Sequence, residues 1–497
     1  MTAQLICGDL QRSGEQVAQR ALQLAGGLAR LGVEDGDVIA VMLRNGPAFI
    51  DAIQSCQTAG CFYCPVNWHF KADEVAFLLQ DSAAKVFLVE ADLLDDLIGI
   101  IPDGVVVLVN GGDGVVRTVH LDYEAWLAEQ PPYSGEPRTP RAHMAYTSGT
   151  TGRPKGVKRI APPVEEREAM AAAMRELSRA AWGIEPGVRT LVSSPLYHSA
   201  PSSFAQQSIL QAELMVVMPR FDAEQTLALI EQYRIDTVFL VPIMYVRLLR
   251  LPEEIKAKYD LSSVRFVAST GAPCAPDVKL AMLDWWGPVI YETYASSETG
   301  MITIQDPVSA RLKPGSVGLP IGQTRIRIID EQGNDCALGE PGVIYVRQPA
   351  VPDFTYLNND EARAKAGLDD LATVGDIGYL DEDGYLFICD RKSDMVISGG
   401  VNIYPAEIEH QLIALPGVLD CAVFGVPDAE YGESLVAVVA TTDPALSEER
   451  IKDVIRQRMA GYKTPRQVHL VASLPRDDNG KVAKRKLKDA YSSTVAG

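Results

Sequence analysis

The stretch YTSGTTGRPKGV, at residues 146–157, carries more information than any other part of this chain. Its glycines can adopt positive φ and let backbone N–H groups approach an anion, while its hydroxyls add donors and its lysine adds a positive charge. The residues concerned are Ser148, Gly149, Thr150, Thr151, Gly152, Lys155 and Gly156. The stretch departs from the common phosphate loop, in which GxxxxGK is followed by Ser or Thr. Clusters of Gly, Ser and Thr are in general surface loops, but the length of this run favours phosphate binding on a different nucleotide fold.

Length and composition indicate a globular protein with more than one domain. The 497 residues exceed what one core usually supports. Hydrophobic residues make up 47% and charged residues 22%, as in typical globular domains, and no apolar run reaches the ~20 residues that span a bilayer. The N-terminus has no basic segment followed by an apolar one, so we expect a cytoplasmic protein.

The charge balance limits the partners. A net charge of −19 argues against general binding to nucleic acid or to an anionic membrane, because both would be repelled. We therefore expect small-molecule partners, and a homodimer is compatible with the sequence. The eight cysteines are scattered without the spacing of a disulfide framework, so we expect reduced thiols. The pair Cys61 and Cys64 has CxxC spacing but lies in an apolar stretch, which favours packing over zinc binding.

Apolar periodicity predicts a layered α/β architecture. Helical and strand-like segments alternate over the first part of the chain, and short apolar runs at 236–242, 264–270 and 288–294 are typical of buried strands. After the polar stretch that begins at Asp390, about 100 residues predict a compact α+β unit. We therefore expect a large N-terminal layered α/β domain at residues 1–390 and a small α+β C-terminal domain at residues 391–497.

Several motifs in order along the chain identify a resemblance. The phosphate-loop stretch, the YASSETG stretch from Tyr294, the GDIGY stretch from Gly375 and the DNGK stretch ending at Lys481 resemble the signatures of the acyl-adenylate-forming (AMP-binding) superfamily. This family includes acyl-CoA synthetases, peptide-synthetase adenylation domains and luciferases. The resemblance covers most of the chain, and it implies a mobile C-terminal domain with its hinge near Ser393.

The resemblance implies a set of site residues. Those expected to bind cofactor are Thr147, Ser148, Gly149, Thr150, Thr151, Gly152, Gly271, Ala272, Pro273, Tyr294, Ser297, Asp376, Arg391, Gly399 and Gly400. Those expected to be catalytic are Lys155, His198, Glu298 and Lys481, and Glu298 is also the expected magnesium ligand. A lone carboxylate beside phosphates is sufficient for Mg²⁺, which prefers oxygen. Without the other motifs, Glu298 would be a solvated turn residue, His198 a core histidine and Lys481 a surface charge.

The chain departs from the family pattern at three points. Ala295 stands where the family usually has glycine, Ser297 stands where it usually has threonine, and Ser393 occupies the hinge position, which is commonly aspartate or lysine. A serine keeps the hydroxyl at 297, and a hinge needs torsional freedom more than charge. We therefore expect rotation at the hinge to survive. Glu407 is either a residue that supports the thioester-forming conformation or a first-turn acid favoured by the helix dipole.

The activity implied by the resemblance is that of an acyl-CoA synthetase. ATP, with Mg²⁺, activates a carboxylic acid to acyl-AMP with release of pyrophosphate, and coenzyme A then receives the acyl group. Two alternatives remain open at this stage, an acyl-AMP ligase that loads a carrier protein and a non-catalytic ATP or acyl-AMP sensor. The sequence favours a bulky, aromatic or alicyclic acid. The residues expected near the acyl group are Tyr197, His198, Pro242, Ile243, Met244, Ser269, Thr270 and Tyr291.

Overall fold

The computed structural model describes residues 2–111, 120–147, 154–428, 430–476 and 482–492. In chain order the strands are β1 (Gln4–Cys7), β2 (Leu10–Arg12), β3 (Val38–Met42), β4 (Phe62–Pro65), β5 (Val86–Glu90), β6 (Val106–Asn110), β7 (Leu121–Asp122), β8 (Ala145–Thr147), β9 (Lys155–Arg159), β10 (Arg189–Val192), β11 (Leu214–Val217), β12 (Thr237–Leu240), β13 (Phe266–Ser269), β14 (Ile290–Ser296), β15 (Gly300–Gln305), β16 (Leu319–Pro320), β17 (Arg325–Ile329), β18 (Gly342–Arg347), β19 (Phe354–Tyr356), β20 (Gly367–Leu368), β21 (Leu371–Ala372), β22 (Asp376–Leu380), β23 (Leu386–Arg391), β24 (Val396–Ser398), β25 (Val401–Ile403), β26 (Val418–Asp428), β27 (Gly432–Thr441) and β28 (Gln467–Val471).

The α-helices complete the description. They are α1 (Gly14–Arg30), α2 (Pro47–Ala59), α3 (Ala72–Asp81), α4 (Ala91–Leu94), α5 (Tyr123–Ala128), α6 (Arg167–Trp182), α7 (Ser199–Gln211), α8 (Ala223–Tyr233), α9 (Pro242–Leu249), α10 (Glu253–Lys256), α11 (Pro276–Trp286), α12 (Pro307–Leu312), α13 (Asp360–Ala366), α14 (Pro405–Ile413), α15 (Glu448–Arg458) and α16 (Lys484–Ser492).

Two largely parallel sheets form the body of the large unit. The first has nine strands in the order β16-β15-β14-β13-β12-β10-β11-β1-β2, of which β1, β10, β11, β12, β13 and β14 run parallel. The second has five parallel strands in the order β4-β3-β5-β6-β7. One apolar core joins them through α1, α2 and α7. Parallel strands covered by helices on both faces are apolar along their whole length, as β3 is, because neither face meets water.

Local sequence explains where the packed helices start and stop. Ser13 caps α1 through a capping box, in which its hydroxyl accepts from the Gln16 N–H at 3.2 Å and the Gln16 side chain accepts from the Ser13 N–H at 2.8 Å. Helix α2 starts with Pro47, whose missing N–H costs nothing at the first helical position. It ends at Gly60, which adopts the left-handed region with φ +66°.

Two antiparallel sheets complete the large unit. One contains β20-β21-β18-β22-β23 with β17 paired to β18. The other is a three-stranded sheet in the order β19-β9-β8, which brings residues near 355 beside residues near 157. This small sheet contains the end of the phosphate-loop stretch and becomes important for the site.

The C-terminal residues form a separate sheet. Its order is β25-β24-β27-β26, with β28 parallel to β27. Helices α14 and α15 pack on one face, where Ile408, Leu412, Ile451 and Ile455 join the core. Leu487 of α16 lies in the core on the other face. The expected large α/β domain and small α+β domain are confirmed, and the sheet membership changes between Arg391 and Val396.

Within the described residues, no helix combines the length and the apolar character that crossing a bilayer would require. The cysteines of the CxxC pair are both fully buried, and Cys61 lies against Cys56 with 3.4 Å between the two sulfurs. This is the apolar packing that the sequence favours for them.

Candidate active site

The expected site residues cluster where the parallel strands of the nine-stranded sheet end. His198 lies in the loop after β10, Gly271 in the turn after β13, and Glu298 in the turn after β14. In open α/β sheets, ligands bind at the carboxyl ends of the strands because the loops there diverge and leave a crevice. The fold therefore gathers at one edge motifs that are about 100 residues apart in the sequence.

Glu298 is held by residues from two other segments. Its carboxylate oxygen Oε1 accepts hydrogen bonds from Thr147 Oγ1 at 3.1 Å and from Tyr356 Oη at 3.2 Å. The Glu298 side chain is buried, and Lys155 Nζ lies 5.1 Å from the centre of the Tyr356 ring. Burial, reinforced by the Glu298 carboxylate, raises the pKa of Tyr356, so the phenol remains a neutral donor. The structure thus brings together Thr147, Lys155 and Glu298.

The group formed by Thr147, Lys155 and Glu298 fits a magnesium ion that is also bound by the phosphates of a nucleotide. Among the described residues, no three His, Cys, Asp or Glu side chains come close enough to hold a metal by themselves. Mg²⁺ is commonly bound by one or two carboxylates together with substrate phosphates. Glu298 would supply the carboxylate, and the ion would neutralise charge on the phosphates. Lys155 contributes a positive charge in the same place.

Tyr294, Asp376 and Arg391 form a second polar group, which is suited to binding a ribose. Tyr294 Oη donates to Asp376 Oδ2 at 2.5 Å, and Arg391 Nε lies 3.3 Å from Asp376 Oδ1. Asp376 and Arg391 are direct partners in the pairing of β22 with β23. Burial, with the Asp376 carboxylate as a second cause, raises the pKa of Tyr294 far above its usual value. A carboxylate has enough acceptor capacity to bind two vicinal hydroxyls.

The turn Gly271-Ala272-Pro273 follows β13 directly. Gly271 has φ +95°, which is the left-handed region that favours glycine, and the turn then leads into α11. Its position beside the end of β14 places it near Tyr294, two strand positions after the paired Ser269 and Glu292. This is the arrangement that the resemblance predicts for an adenine-binding turn.

His198 lies at the N-terminus of α7, in a loop that contacts the turn carrying Glu298. The neighbouring Ser199 Oγ lies 2.8 Å from Ser297 Oγ, so the His198 loop contacts the Glu298 turn directly. The loop is also fixed from the other parallel sheet. Asn45 Nδ2 donates to Ser194 O at 2.9 Å, and Asn45 Oδ1 accepts from Leu196 N–H at 2.7 Å. His198 is therefore on a backbone that is tied on both sides.

Gly399 and Gly400 lie in the small unit. They form the tight turn between β24 and β25, with φ +58° and +80°, and the Gly399 N–H donates to Tyr431 O at 2.9 Å. A Cβ on Gly399 would lie 3.2 Å from the Tyr431 ring. Glu407, in the first turn of α14, pairs with Lys463. These contacts of Gly399 and Glu407 are with residues of the small unit, and none of them reaches Glu298.

Part of the predicted site lies outside the described residues. This applies to Ser148, Gly149, Thr150, Thr151, Gly152 and Lys481. Their neighbours Thr147 and Lys155 are described and are direct partners in the pairing of β8 with β9. The assignments of the loop residues and of Lys481 stay predictions.

The set of residues expected near the acyl group divides over two faces of the nine-stranded sheet. Ser269 is the register partner of Glu292, which pairs with Lys279 of α11, so both side chains face the α9 and α11 layer. Thr293 Oγ1 donates to Ala181 O in α6, so Thr293 faces the opposite layer. Tyr291 has the same parity as Thr293 in β14 and therefore faces the same layer as Thr293. The residues expected near the acyl group stay a prediction.

Three site residues escaped the sequence interpretation, namely Asn45, Arg159 and Tyr356. Each acts on a motif from a distant segment, and none belongs to a motif of its own. The sequence gives no signal for Arg159, because it is one of three basic residues in the strand KGVKR. Its contacts are described below.

Comparison with known proteins agrees with this geometry. The family described as AMP-binding enzyme matches residues 3–352, and the AMP-binding enzyme C-terminal domain matches residues 407–481. The chain is 32% identical to a feruloyl-CoA synthase of Amycolatopsis sp, over 96% of this chain and 93% of the relative. It is 30% identical to a 2-succinylbenzoate–CoA ligase of Bacillus licheniformis, over 97% and 96%.

A solved structure shows the same fold. ATP-bound MatB from Rhodopseudomonas palustris superposes with a TM-score of 0.86 at 28% identity, over 99% of this chain and 96% of that chain. The two family matches cover most of the sequence and include Thr147, Lys155, Tyr294 and Glu298, whereas Tyr356, Asp376 and Arg391 lie between the two matched segments. This chain belongs to the AMP-binding enzyme family and is an AMP-forming acid–thiol ligase that uses ATP, Mg²⁺ and coenzyme A.

Proposed function

We propose that this ligase activates a bulky, aromatic or alicyclic carboxylic acid, first to the acyl-AMP and then to the coenzyme A thioester. The observation that carries the proposal is an uncharged, aromatic layer beside the His198 loop. Two of the relatives compared above are named for aromatic acids, feruloyl and 2-succinylbenzoate, and this supports an aryl substrate here as well.

The aromatic layer lies between the nine-stranded sheet and helices α6 and α7. Trp182 of α6 packs edge-on against Phe204 of α7 with ring centres 6.0 Å apart, and Phe204 lies 5.3 Å from Phe239 of β12. All three side chains are buried. Nearby, the hydroxyl of Thr270 donates to Thr293 O at 2.6 Å, and the hydroxyl of Thr293 donates to Ala181 O at 3.4 Å. An aryl or alicyclic group would find apolar contacts here.

The residue roles follow from the site geometry and form part of the proposal. Glu298 would hold Mg²⁺, Thr147 and Lys155 would contact phosphate oxygens, and Asp376 with Arg391 would bind the ribose. The acid needs no general base, because a carboxylate with a reference pKa near 4 is already ionised at neutral pH. Catalysis then consists of orienting the carboxylate toward the α-phosphate and neutralising charge. Lys481 would provide charge for this step from the small domain.

The domain boundary is proposed at residues 390 and 391, with the hinge near Ser393. Support comes from the sheets, since Arg391 is the last residue of one and Val396 is the first of the next. Ser393 is exposed, and its hydroxyl contacts only the adjacent Asp394 at 3.3 Å among the hydrogen bonds described for it. Exposed residues between two sheets are suited to absorbing torsional change.

The free thiols and the net charge support the proposal of a cytoplasmic protein. All eight cysteines are free, and six of them are buried, which agrees with a reducing cytoplasm. The strongly negative net charge disfavours nucleic acid and anionic membranes as partners. Gel filtration with light scattering would decide between a monomer and a homodimer.

A competition assay tests the substrate class. The protein is incubated with ATP, Mg²⁺, coenzyme A and an equimolar mixture of an aryl acrylate, cyclohexanecarboxylate, a long-chain fatty acid and 2-succinylbenzoate, and thioesters are quantified by mass spectrometry. We expect the aryl or alicyclic thioester to dominate. Dominance of the fatty acyl product would overturn the aromatic assignment. Accumulation of acyl-AMP despite coenzyme A would favour the alternative in which a carrier protein is the acceptor.

A further inference from the structure

The three-stranded sheet presents one face to the turn that carries Glu298. Thr147 pairs with Lys155, and Tyr356 pairs with Val157, across β8, β9 and β19. Because alternate residues of a strand point the same way, Thr147, Lys155, Arg159 and Tyr356 share this face. Thr147 and Tyr356 donate to the Glu298 carboxylate, and Lys155 lies beside Tyr356. Arg159, at the end of β9, has a different contact.

Arg159 binds the backbone of the Glu298 turn. Its Nη2 donates to Ser297 O at 2.5 Å, and its Nη1 donates to Glu298 O at 2.5 Å and to Pro352 O at 2.9 Å. Among the described residues, no carboxylate lies within ion-pair distance of this guanidinium. Desolvation lowers the pKa of Arg159 to about 10, with the Glu298 and Asp353 carboxylates opposing, so the group is charged at neutral pH.

The pattern of these bonds restricts the turn. Successive carbonyls of an extended strand point to opposite sides, whereas Ser297 O and Glu298 O both point to Arg159, so this segment is held in a non-extended turn. Hydrogen bonds from a charged donor are worth about 1.5–3 kcal/mol each, and losing the donor would leave buried acceptors unsatisfied. The planar fork of arginine can serve two carbonyls at once, which a lysine ammonium does less well.

We propose that Arg159 is a positioning residue for the magnesium ligand. It holds the carbonyl oxygens of Ser297 and Glu298, and thereby fixes the direction in which the Glu298 carboxylate meets Mg²⁺ and the phosphates of ATP. The same strand places Lys155, so one rigid element sets both the phosphate charge and the metal ligand. The inference rests on the proposed role of Glu298.

Arg347 is a matched control in the same neighbourhood. Its Nη1 donates to Gln348 O at 2.9 Å and to Val351 O at 3.1 Å, so it too holds loop carbonyls. It lines the same small cleft as Arg159. The hydrogen bonds described for it do not go to the carbonyls of the Glu298 turn. A change at Arg347 therefore reports what losing a half-buried arginine that holds loop carbonyls does to stability.

The test compares Arg159→Lys, Arg159→Met and Arg347→Met in three measurements. These are calorimetric binding of ATP at a series of Mg²⁺ concentrations, the Mg²⁺ dependence of pyrophosphate exchange, and thioester formation from synthetic acyl-AMP and coenzyme A. We expect Arg159→Met to raise the Mg²⁺ concentration for half-maximal ATP binding by about tenfold, with Arg159→Lys intermediate. Thioester formation from acyl-AMP should change less than about twofold, because that step follows pyrophosphate release.

The outcomes separate this proposal from a structural role and from the substrate proposal. Equal Mg²⁺ dependence in the wild type and in folded Arg159 variants would overturn it, as would the same increase in Arg347→Met. If Arg159→Met fails to fold, Arg159→Lys decides, since it retains the charge and most of the side-chain volume. Binding of ATP with Mg²⁺ does not involve the carboxylic acid, so an error in the substrate class would leave this measurement unaffected.

Discussion

At the scale of single residues, the site depends on how each polar group is held as much as on its identity. Glu298 is the clearest case, because its carboxylate accepts from Thr147 and Tyr356, and its backbone accepts from Arg159. A carboxylate fixed on both sides cannot turn away from a metal ion. Such preorganisation is what electrostatic catalysis requires, since no reorganisation is needed when charge develops.

Replacement of Glu298 by glutamine tests its role directly. The amide keeps the shape and can still accept one hydrogen bond, but it removes the negative charge that Mg²⁺ prefers. We expect pyrophosphate exchange to fall by a factor on the order of 10² to 10³, as for loss of one electrostatic stabiliser. Thioester formation from synthetic acyl-AMP should persist, and it serves as the internal control. A variant that exchanges pyrophosphate at the wild-type rate would show that the metal is held elsewhere.

A second residue, His143, makes the stability of the fold depend on pH. Burial, and to a smaller extent the Arg159 charge, lowers the pKa of His143 from its usual 6.5 to about 4. Since the unfolded chain then binds a proton more readily than the native one, this histidine lowers stability as the pH falls from about 6.5 to about 4, by roughly 3 kcal/mol at the lower end. Above pH 7 it has no such effect.

The variant His143→Phe should remove this pH dependence. The ring is retained near Tyr63, and the Nδ1 atom that has no hydrogen-bond partner is lost. We expect the unfolding temperature of the variant to rise relative to that of the wild type as the pH is lowered from 7.5 to 5. Parallel midpoints of the two proteins across this range would contradict the low pKa of the histidine.

At the scale of secondary-structure elements, α11 is fixed to the nine-stranded sheet by buried charges. Lys279 of α11 forms an ion pair with Glu292 of β14 and donates to Gln305 of β15. Gln305 Nε2 in turn donates to Ser316 Oγ at 2.8 Å and to Lys313 O at 3.1 Å. Lys279 and Glu292 are almost fully buried. A buried pair of this kind is costly to break but adds little stability over an apolar substitute.

The ion pair therefore predicts a non-additive pair of substitutions. Glu292→Gln leaves the Lys279 charge buried without its partner and should destabilise the large domain by about 3–5 kcal/mol. Combining it with Lys279→Met removes the stranded charge, so the double variant should unfold at a higher temperature than the single one. Differential scanning calorimetry of the three proteins measures this. A double variant that is less stable than Glu292→Gln would refute the argument.

The elements also show how much the sequence could predict. Strand-like runs at 236–242, 264–270 and 288–294 correspond to β12, β13 and β14, and the C-terminal residues form the expected α+β unit. These predictions succeeded because burial on both faces produces continuous apolar runs, which are a local signal. The pairing of β9 with β19 joins residues about 200 positions apart, and no local signal indicates such a partner.

The same distinction applies to the site. Thr147 and Glu298 belong to local motifs and are in contact in the structure, as are Tyr294, Asp376 and Arg391. The roles that the resemblance implies for them stay proposals. Residues that support those motifs from elsewhere were invisible, because their role depends on tertiary contacts. The division of the acyl-pocket residues between two faces has the same origin, since strand alternation gives two faces but does not say which helix layer covers each.

At the scale of the whole molecule, the residues proposed to bind the ribose lie at the boundary between the two units. Asp376 and Arg391 end the last sheet of the large unit, and the chain enters the sheet of the small unit at Val396. Asp390 Oδ2 accepts from the Ala406 N–H of α14 at 2.9 Å, so the first helix of the small unit starts beside the ribose contacts. Movement of the small unit would therefore change what surrounds the nucleotide without displacing Asp376.

This arrangement makes Lys481 a test of the alternation itself. If Lys481 reaches the active site in only one orientation of the small domain, Lys481→Ala should reduce pyrophosphate exchange by a factor on the order of 10² or more and leave thioester formation from synthetic acyl-AMP largely intact. Lys486→Ala is the matched control, because Lys486 is an exposed lysine of α16 close by in sequence. Equal loss of both half-reactions in Lys481→Ala would mean that both half-reactions need the lysine, and the proposed alternation of the small domain about Ser393 would lose its main support.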